Sequence, residues 1–266
     1  MAHPLMKILL HVEKSLEENA AHYYDRAKKV AKKREGAAEA LAQNKEKLAT
    51  LLKKRDKELV SKEEHHKAAL RKKEWYEKFR WFFSSEGFLV IGGRDATSNE
   101  VVIKKHTESN DVVFHTDMAG SPFFVIKTEG KAPGEATLKE VADATATFSR
   151  AWKLGLAGSS TFWVTPDQVS KKTMSGEYMG KGAFMIYGKS NHLESAINLA
   201  VGSMGGVLMA GPREAIQKNC PVFLEIVQGD EKMSDIAKSI RSKLKVGTLD
   251  EIIRSLPAGG AKIKKG

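Results

Sequence analysis

The sequence predicts an α+β protein, with an N-terminal antiparallel helical coiled-coil hairpin followed by a mixed-sheet α/β domain. Three observations carry this. From about Leu9 to Phe79 the chain is rich in Ala, Lys, Glu and Leu and contains no proline, a composition that favours helix. After Phe83 the texture changes to short apolar runs separated by Gly, Asn, Asp and Pro, the punctuation of strands and turns. The helical patterns between those runs are irregular, which favours a mixed sheet over a regular βαβ repeat.

Residues 1–8 form a start segment, and residues 9–80 form the hairpin. Leu16, Tyr23, Val30, Ala37, Asn44 and Leu51 make one seam position, and Ala20, Ala27, Arg34, Leu41, Leu48 and Arg55 make the other. Their alternating spacing of three and four is that of a coiled coil. Small residues and the polar Asn44, Arg34 and Arg55 weaken this seam, which favours an intramolecular antiparallel pair over a long dimer. The returning arm ends in Trp75, Tyr76, Phe79, Trp81, Phe82 and Phe83, a density of rings that needs a body to pack against. The turn leaves no mark, since neither Gly nor Pro lies between Ala37 and Glu86.

Residues 81–190 form the next domain, in which 88–91, 112–115, 123–126, 161–164 and 183–186 are predicted strands. Ser98 to His106 and Leu138 to Leu154 are predicted helices, the second with Thr137 as its N-cap candidate. Residues 191–266 form a C-terminal α/β extension: strands at 207–209 and 222–227, helices at 213–218, 234–243 and 248–255, and a basic tail from Lys262.

The net charge is +11, of which residues 1–80 supply +8, with 21 Lys and Arg against 13 Asp and Glu. Such a surplus favours a polyanionic partner. The single Cys220 excludes an intrachain disulfide framework or a cysteine zinc cluster, so the reducing cytoplasm is the expected compartment. Leu5 to Val12 is too short for a signal-peptide core, no run approaches a membrane span, and no membrane partner is expected.

Gly92-Gly-Arg-Asp95 follows a strand and opens a helix, a geometry in which backbone amides can face an anion. It matches neither a P-loop nor a dinucleotide fingerprint, and the alternative is a tight turn capped by Asp95, with the exposure of Arg94 deciding between them. From Asp167 through Gln168, Ser170, Lys171, Lys172, Tyr178 and Lys181 to Lys189 the chain sets lysines among glycines and hydroxyls. That combination suits a phosphate-backbone groove with a stacking position at Tyr178; the alternative is a solvated loop. His115 and Asp117 share a strand face. A third ligand at metal spacing is missing, so a structural histidine or a base contact is the better reading. With no nucleophile elbow, zincin signature or spaced carboxylate pair, neither catalysis nor a metal or cofactor is expected.

Lys73 to Glu100, Ser15 to Tyr24, Asn110 to Asp117, Pro166 to Lys171, Ser175 to Tyr178 and Gly182 to Ile186 together resemble the C-terminal half of an NFACT protein, of the NEMF, RqcH and FbpA group. The likeness runs in order from about residue 10 to 190 and covers the middle coiled coil and the RNA-binding NFACT-R domain; the remainder resembles the C-terminal extension of archaeal members. It implies a ribosome quality-control component that binds tRNA and the large ribosomal subunit on stalled nascent-chain complexes. The coiled coil would contact the subunit, or quality-control factors, while the RNA-binding domain holds tRNA. Peptide-bond formation there belongs to the ribosome, so the resemblance supplies no active site. Carried onto this chain, Arg94, Asp95 and Asn99 and the loop from Lys171 to Lys189 face RNA.

Two departures qualify the likeness. The family's large N-terminal domain, with an Asp-Arg pair associated with tailing, has no counterpart here, so tailing is not carried over and the chain is expected to be a piece of a longer protein, Met1 to about Met6 being partly artificial. Asp117-Met-Ala-Gly120 stands where many relatives have Asp-(Leu/Met)-His-Gly, which removes an imidazole at Ala119. A second hypothesis, an adaptor acting through the coiled coil without touching RNA, stays open.

Overall fold

The computed structural model describes residues 8–70, 72–172 and 179–264. The chain divides into two compact units after Leu70.

The first unit is α1, Leu16–Leu70. Its start is built twice over. Ser15 and Glu18 exchange side-chain and backbone bonds, with Ser15 N donating to Glu18 Oε2 (2.9 Å) and Glu18 N to Ser15 Oγ (3.2 Å), the reciprocal cap that satisfies two orphan amides. Asn19, buried, ties the preceding turn down by donating from Nδ2 to the carbonyls of His11 and Ser15, both at 3.0 Å. The seam residues Val30, Leu41, Leu48 and Leu51 are exposed, as an apolar coiled-coil arm requires of its contact stripe. The reversal that an antiparallel hairpin requires does not occur within Leu16–Leu70: these 55 residues are one helix. The arm also stops short of Phe79. Trp75–Lys78 is a 3-10 turn, and a strand begins at Arg80.

The second unit begins with that turn and the strand β1 (Arg80–Phe83), followed by β2 (Leu89–Gly92), α2 (Ala96–Lys105), β3 (Val112–Thr116), β4 (Phe124–Lys127), α3 (Glu135–Thr147), α4 (Arg150–Lys153), β5 (Gly158–Val164), the short β6 (Val169–Ser170) and β7 (Met185–Ile186), and β8 (Asn191–Ala196). Six of these strands make a sheet in the order β1-β2-β4-β3-β5-β8. Every pairing in it is antiparallel, which corrects the mixed sheet expected from the sequence. Direction is set by how each connection returns, and apolar periodicity does not encode it. Strands β9 (Leu199–Met204), β10 (Val207–Gly211), β11 (Val222–Glu231) and β12 (Ala261–Ile263) form a second antiparallel sheet, ordered β10-β9-β11-β12. Helices α5 (Arg213–Asn219), α6 (Met233–Leu244) and α7 (Leu249–Ser255) pack against it. Because β8 closes the first sheet and a common core includes Phe82, Met209 and Ile216, residues on both sides of position 190 share one compact unit.

The core explains why the aromatic run turned away from a helix. Phe82, Phe114 and Phe124 are fully buried, each worth roughly 1.5–3 kcal/mol over leaving the ring in water. Gly92 and Gly211 let rings lie directly on backbone: a Cβ at Gly92 would come 2.4 Å from the Phe124 ring. α3 is capped from a distance. Its N-cap is Gly134 and not Thr137; the Glu86 carboxylate, from the loop before β2, accepts from Gly134 N (3.1 Å) and Thr137 N (3.0 Å). The helix expected over Leu138 to Leu154 breaks at Ser149, whose Oγ accepts from Ala151 N (3.1 Å) and starts α4.

Candidate nucleic-acid interface

The corner between β2 and α2 is built around an absent side chain. Gly93 lies so close to α2 that a Cβ there would sit 1.8 Å from Asn99 Oδ1. That oxygen accepts from Phe123 N (3.2 Å), joining the corner to β4. Asp95 caps α2: its Oδ1 accepts from Ser98 N (2.7 Å), while Ser98 Oγ accepts from Arg94 N (2.7 Å) and Asp95 N (2.9 Å). The Ser98 amide, foremost, holds the Asp95 carboxyl below its usual range. The capped-turn reading of Gly92–Asp95 is therefore the one the structure shows, and Asn99 is a buried joint.

Arg94 is half-buried and turns back toward the chain that precedes β1. Its Nη2 donates to the carbonyls of Glu77 (3.2 Å) and Phe79 (2.8 Å). Its Nε is buried with no hydrogen-bond acceptor among the described residues. Burial, then the charge of Arg254, lowers its pKa. Arg80 lies beside it, with Nη1 donating to Leu256 O (3.2 Å) and the guanidinium 4.2 Å from the Phe148 ring centre. Burial, reinforced by Arg94, pulls the Arg80 pKa down to about 9. The sequence pattern places Arg80 in a helical arm and gives it no role; the alternation Phe79-Arg80-Trp81 is the signal that could have found it.

His115, on β3, stacks on Phe123 with ring centres 4.2 Å apart. Its Nε2 lies 3.2 Å from Ser121 O, and since a carbonyl only accepts, Nε2 carries the proton. Burial depresses its pKa, so the ring is neutral at pH 7. Asp117 is exposed. Among the described residues no group of three or more His, Cys, Asp or Glu could hold a metal ion.

Much of the loop is committed to its own architecture. Gln168 is a staple: Oε1 accepts from Thr165 N (3.0 Å), and Nε2 donates to the carbonyls of Tyr187 (2.7 Å) and Lys189 (3.1 Å). Ser170 Oγ accepts from Lys172 N (3.0 Å). Lys171 Nζ donates to Gly180 O (3.1 Å), lies 3.5 Å from Glu100 Oε2 and sits 4.7 Å over the Phe184 ring. Lys172, Lys181 and Lys189 are exposed. Tyr178 lies outside the described residues. Gly182 docks the loop on α2: its N donates to Glu100 Oε2 (3.2 Å), and at φ 78° its bare Cα lies against the Ala96 backbone. Lys104, then the Gly182 amide, hold the Glu100 carboxyl at about 2.

The result is a cleft of about 420 Å³. Arg80, the Gly93–Ala96 corner, Lys181–Phe184, His115 and Phe123 line it. Of the residues singled out from sequence, Arg94, Asp95, Asn99, His115 and Lys181 meet here, while Asp117, Gln168, Ser170, Lys171, Lys172 and Lys189 lie outside its lining. The corner and the Lys181–Phe184 part of the glycine-lysine loop thus line one cleft.

Residues 78–188 match the family model described as NFACT protein RNA binding domain. The archaeal Rqc2 homolog aRqcH of Methanocaldococcus jannaschii is 41% identical over 202 residues, covering 73% of this chain and 30% of that protein. The human ribosome quality control complex subunit NEMF is 38% identical over 176 residues, 66% of this chain and 16% of its own length. Its Schizosaccharomyces pombe relative, ribosome quality control complex subunit 2, is 32% identical over 62% of this chain and 16% of that protein. The chain thus spans less than a third of the curated relatives it matches. Residues 78–188 are an NFACT RNA-binding domain, carried by a chain homologous to the aRqcH and NEMF ribosome quality control proteins.

Proposed function

We propose that this chain is an RNA-binding component of ribosome-associated quality control, gripping tRNA and large-subunit ribosomal RNA on stalled nascent-chain complexes in the cytoplasm, and acting by binding and not by catalysis. One observation carries the reading: the Arg94 corner and the Lys181–Phe184 part of the lysine-bearing loop line a single cleft, with Lys181 exposed. Arginines fixed by backbone carbonyls, with an exposed lysine near them, combine positioning with long-range attraction for phosphate. Homology to proteins named for ribosome quality control supports the setting.

A second reading is favoured by the exposed seam of α1, where Val30, Leu41, Leu48 and Leu51 await an apolar partner: an adaptor that docks quality-control factors without touching RNA. Reversing the charge of Lys172, Lys181 and Lys189 separates the two. Filter binding to tRNA and to isolated large subunits at low salt should then weaken, and the slope of log affinity against log salt should fall by roughly one for each phosphate that a lysine no longer neutralises. Unchanged binding with an unchanged slope would favour the adaptor.

A further inference from the structure

The cleft lining is of two kinds. Arg80, Arg94 and Lys181 supply cations, and the half-buried Phe184 supplies aromatic surface, whereas Phe123 is buried with its ring stacked on His115. Among the described residues neither Arg80 nor Arg94 forms an ion pair. Both guanidiniums are instead held by main-chain carbonyls of Glu77, Phe79 and Leu256, so they are in place before any ligand arrives. The acid in the lining, Asp95, is occupied with the Ser98 amide. Arg94 adds to the cost of charge on Arg80, and Arg254 to that on Arg94, which Asp95 and Glu251 offset without restoring its ordinary pKa, so an added anion relieves the cluster.

Size narrows the ligand. At about 420 Å³ the cleft falls within the range of roughly 300–1,000 Å³ typical of small-molecule sites, and is larger than a bare phosphate needs. A run of duplex backbone presents phosphates on a convex surface and cannot enter. An unpaired residue can, since its base is free to leave the stack and lie on an aromatic ring. Anionic phosphate plus flat base matches a lining of fixed cations plus a half-buried aromatic ring.

We propose that the cleft captures a single unpaired nucleotide of the bound RNA, its phosphate against Arg80, Arg94 and Lys181 and its base against Phe184. The inference rests on the RNA-binding reading and adds to it the unit that is recognised. Ala119 is the lever. It is exposed and lines the cleft, so Ala119→Trp fills the opening without touching the core. Ala119→Phe, a smaller plug at the same exposed position, serves as a second variant should the first fail to fold by circular dichroism.

The test uses the full chain and one duplex stem, either blunt or carrying a single-stranded overhang, together with titration of the four nucleoside 5′-monophosphates, free nucleosides and inorganic phosphate followed by NMR. The overhang should raise affinity about tenfold over the blunt stem, the scale of one stacked base. Ala119→Trp should erase that gap, the overhang falling to the affinity of the blunt stem. A monophosphate should bind more tightly than its nucleoside or phosphate alone. Equal binding of both RNAs by the wild-type chain, unaltered by either variant, would overturn the pocket while leaving the RNA-binding reading standing. Should neither RNA bind, that reading fails, and the monophosphates decide the cleft: binding lost on plugging retains a nucleotide pocket, and no binding removes it.

Discussion

At the scale of single residues, Glu100 joins α2 to the glycine-lysine loop. One of its carboxylate oxygens accepts from the Gly182 amide and faces Lys171, while the other accepts from Lys104 at 2.6 Å. Its pKa of about 2 lies below the ordinary 4.5, so the ionised form is favoured in the folded chain. The stability it contributes is fully present above pH 4.5 and is lost as pH falls toward 2. Acid titration of the Gly182 amide resonance should show the loop detaching across that window, and Glu100→Gln should remove the dependence; an unchanged titration in the variant would assign the anchoring elsewhere. Some of this was legible in sequence. Asp95 before an apolar helix is a local capping signal, and the structure has that cap. Gln168 and Lys171 were legible only as polar loop residues, because the Tyr187 carbonyl that one binds and the Glu100 that the other faces come from distant parts of the chain.

Among the elements, α1 was the most legible and its partner the least. Helix follows from composition, but a reversal needs a breaker, and the glycine available, Gly36, lies inside the helix with nothing within 4 Å of its Cβ direction. Gly36→Ala should therefore stabilise α1 by about 1 kcal/mol, seen as a higher melting temperature by circular dichroism; a drop in melting temperature would mean that the chain turns there. Strand β1 was hidden because a run of rings beside Lys and Glu fits a helix as well as a strand until burial is known. The sheet's direction was beyond reach, since helical connectors of irregular length are compatible with either sense. In α3, Thr137 has the right chemistry for a cap, but Glu86 performs the capping from outside the local window.

For the whole molecule, the net charge of +11 favours a polyanionic partner, and the proposed contact is built by the fold. Charge alone pointed to the N-terminal arm, which carries +8, yet the cleft that brings Arg80, Arg94 and Lys181 together lies in the second unit. Its parts come from β1, the β2–α2 corner, β3 and the loop before β7, segments distant in sequence that meet in the fold. Hydrogen exchange of the full chain with and without tRNA reads this arrangement most directly. Slowed exchange at Gly93–Ala96 and at Gly180–Phe184 together, with α6 and β11 unaffected, is the predicted footprint. Protection at only one of the two segments, or centred on α6 and β11, would contradict it.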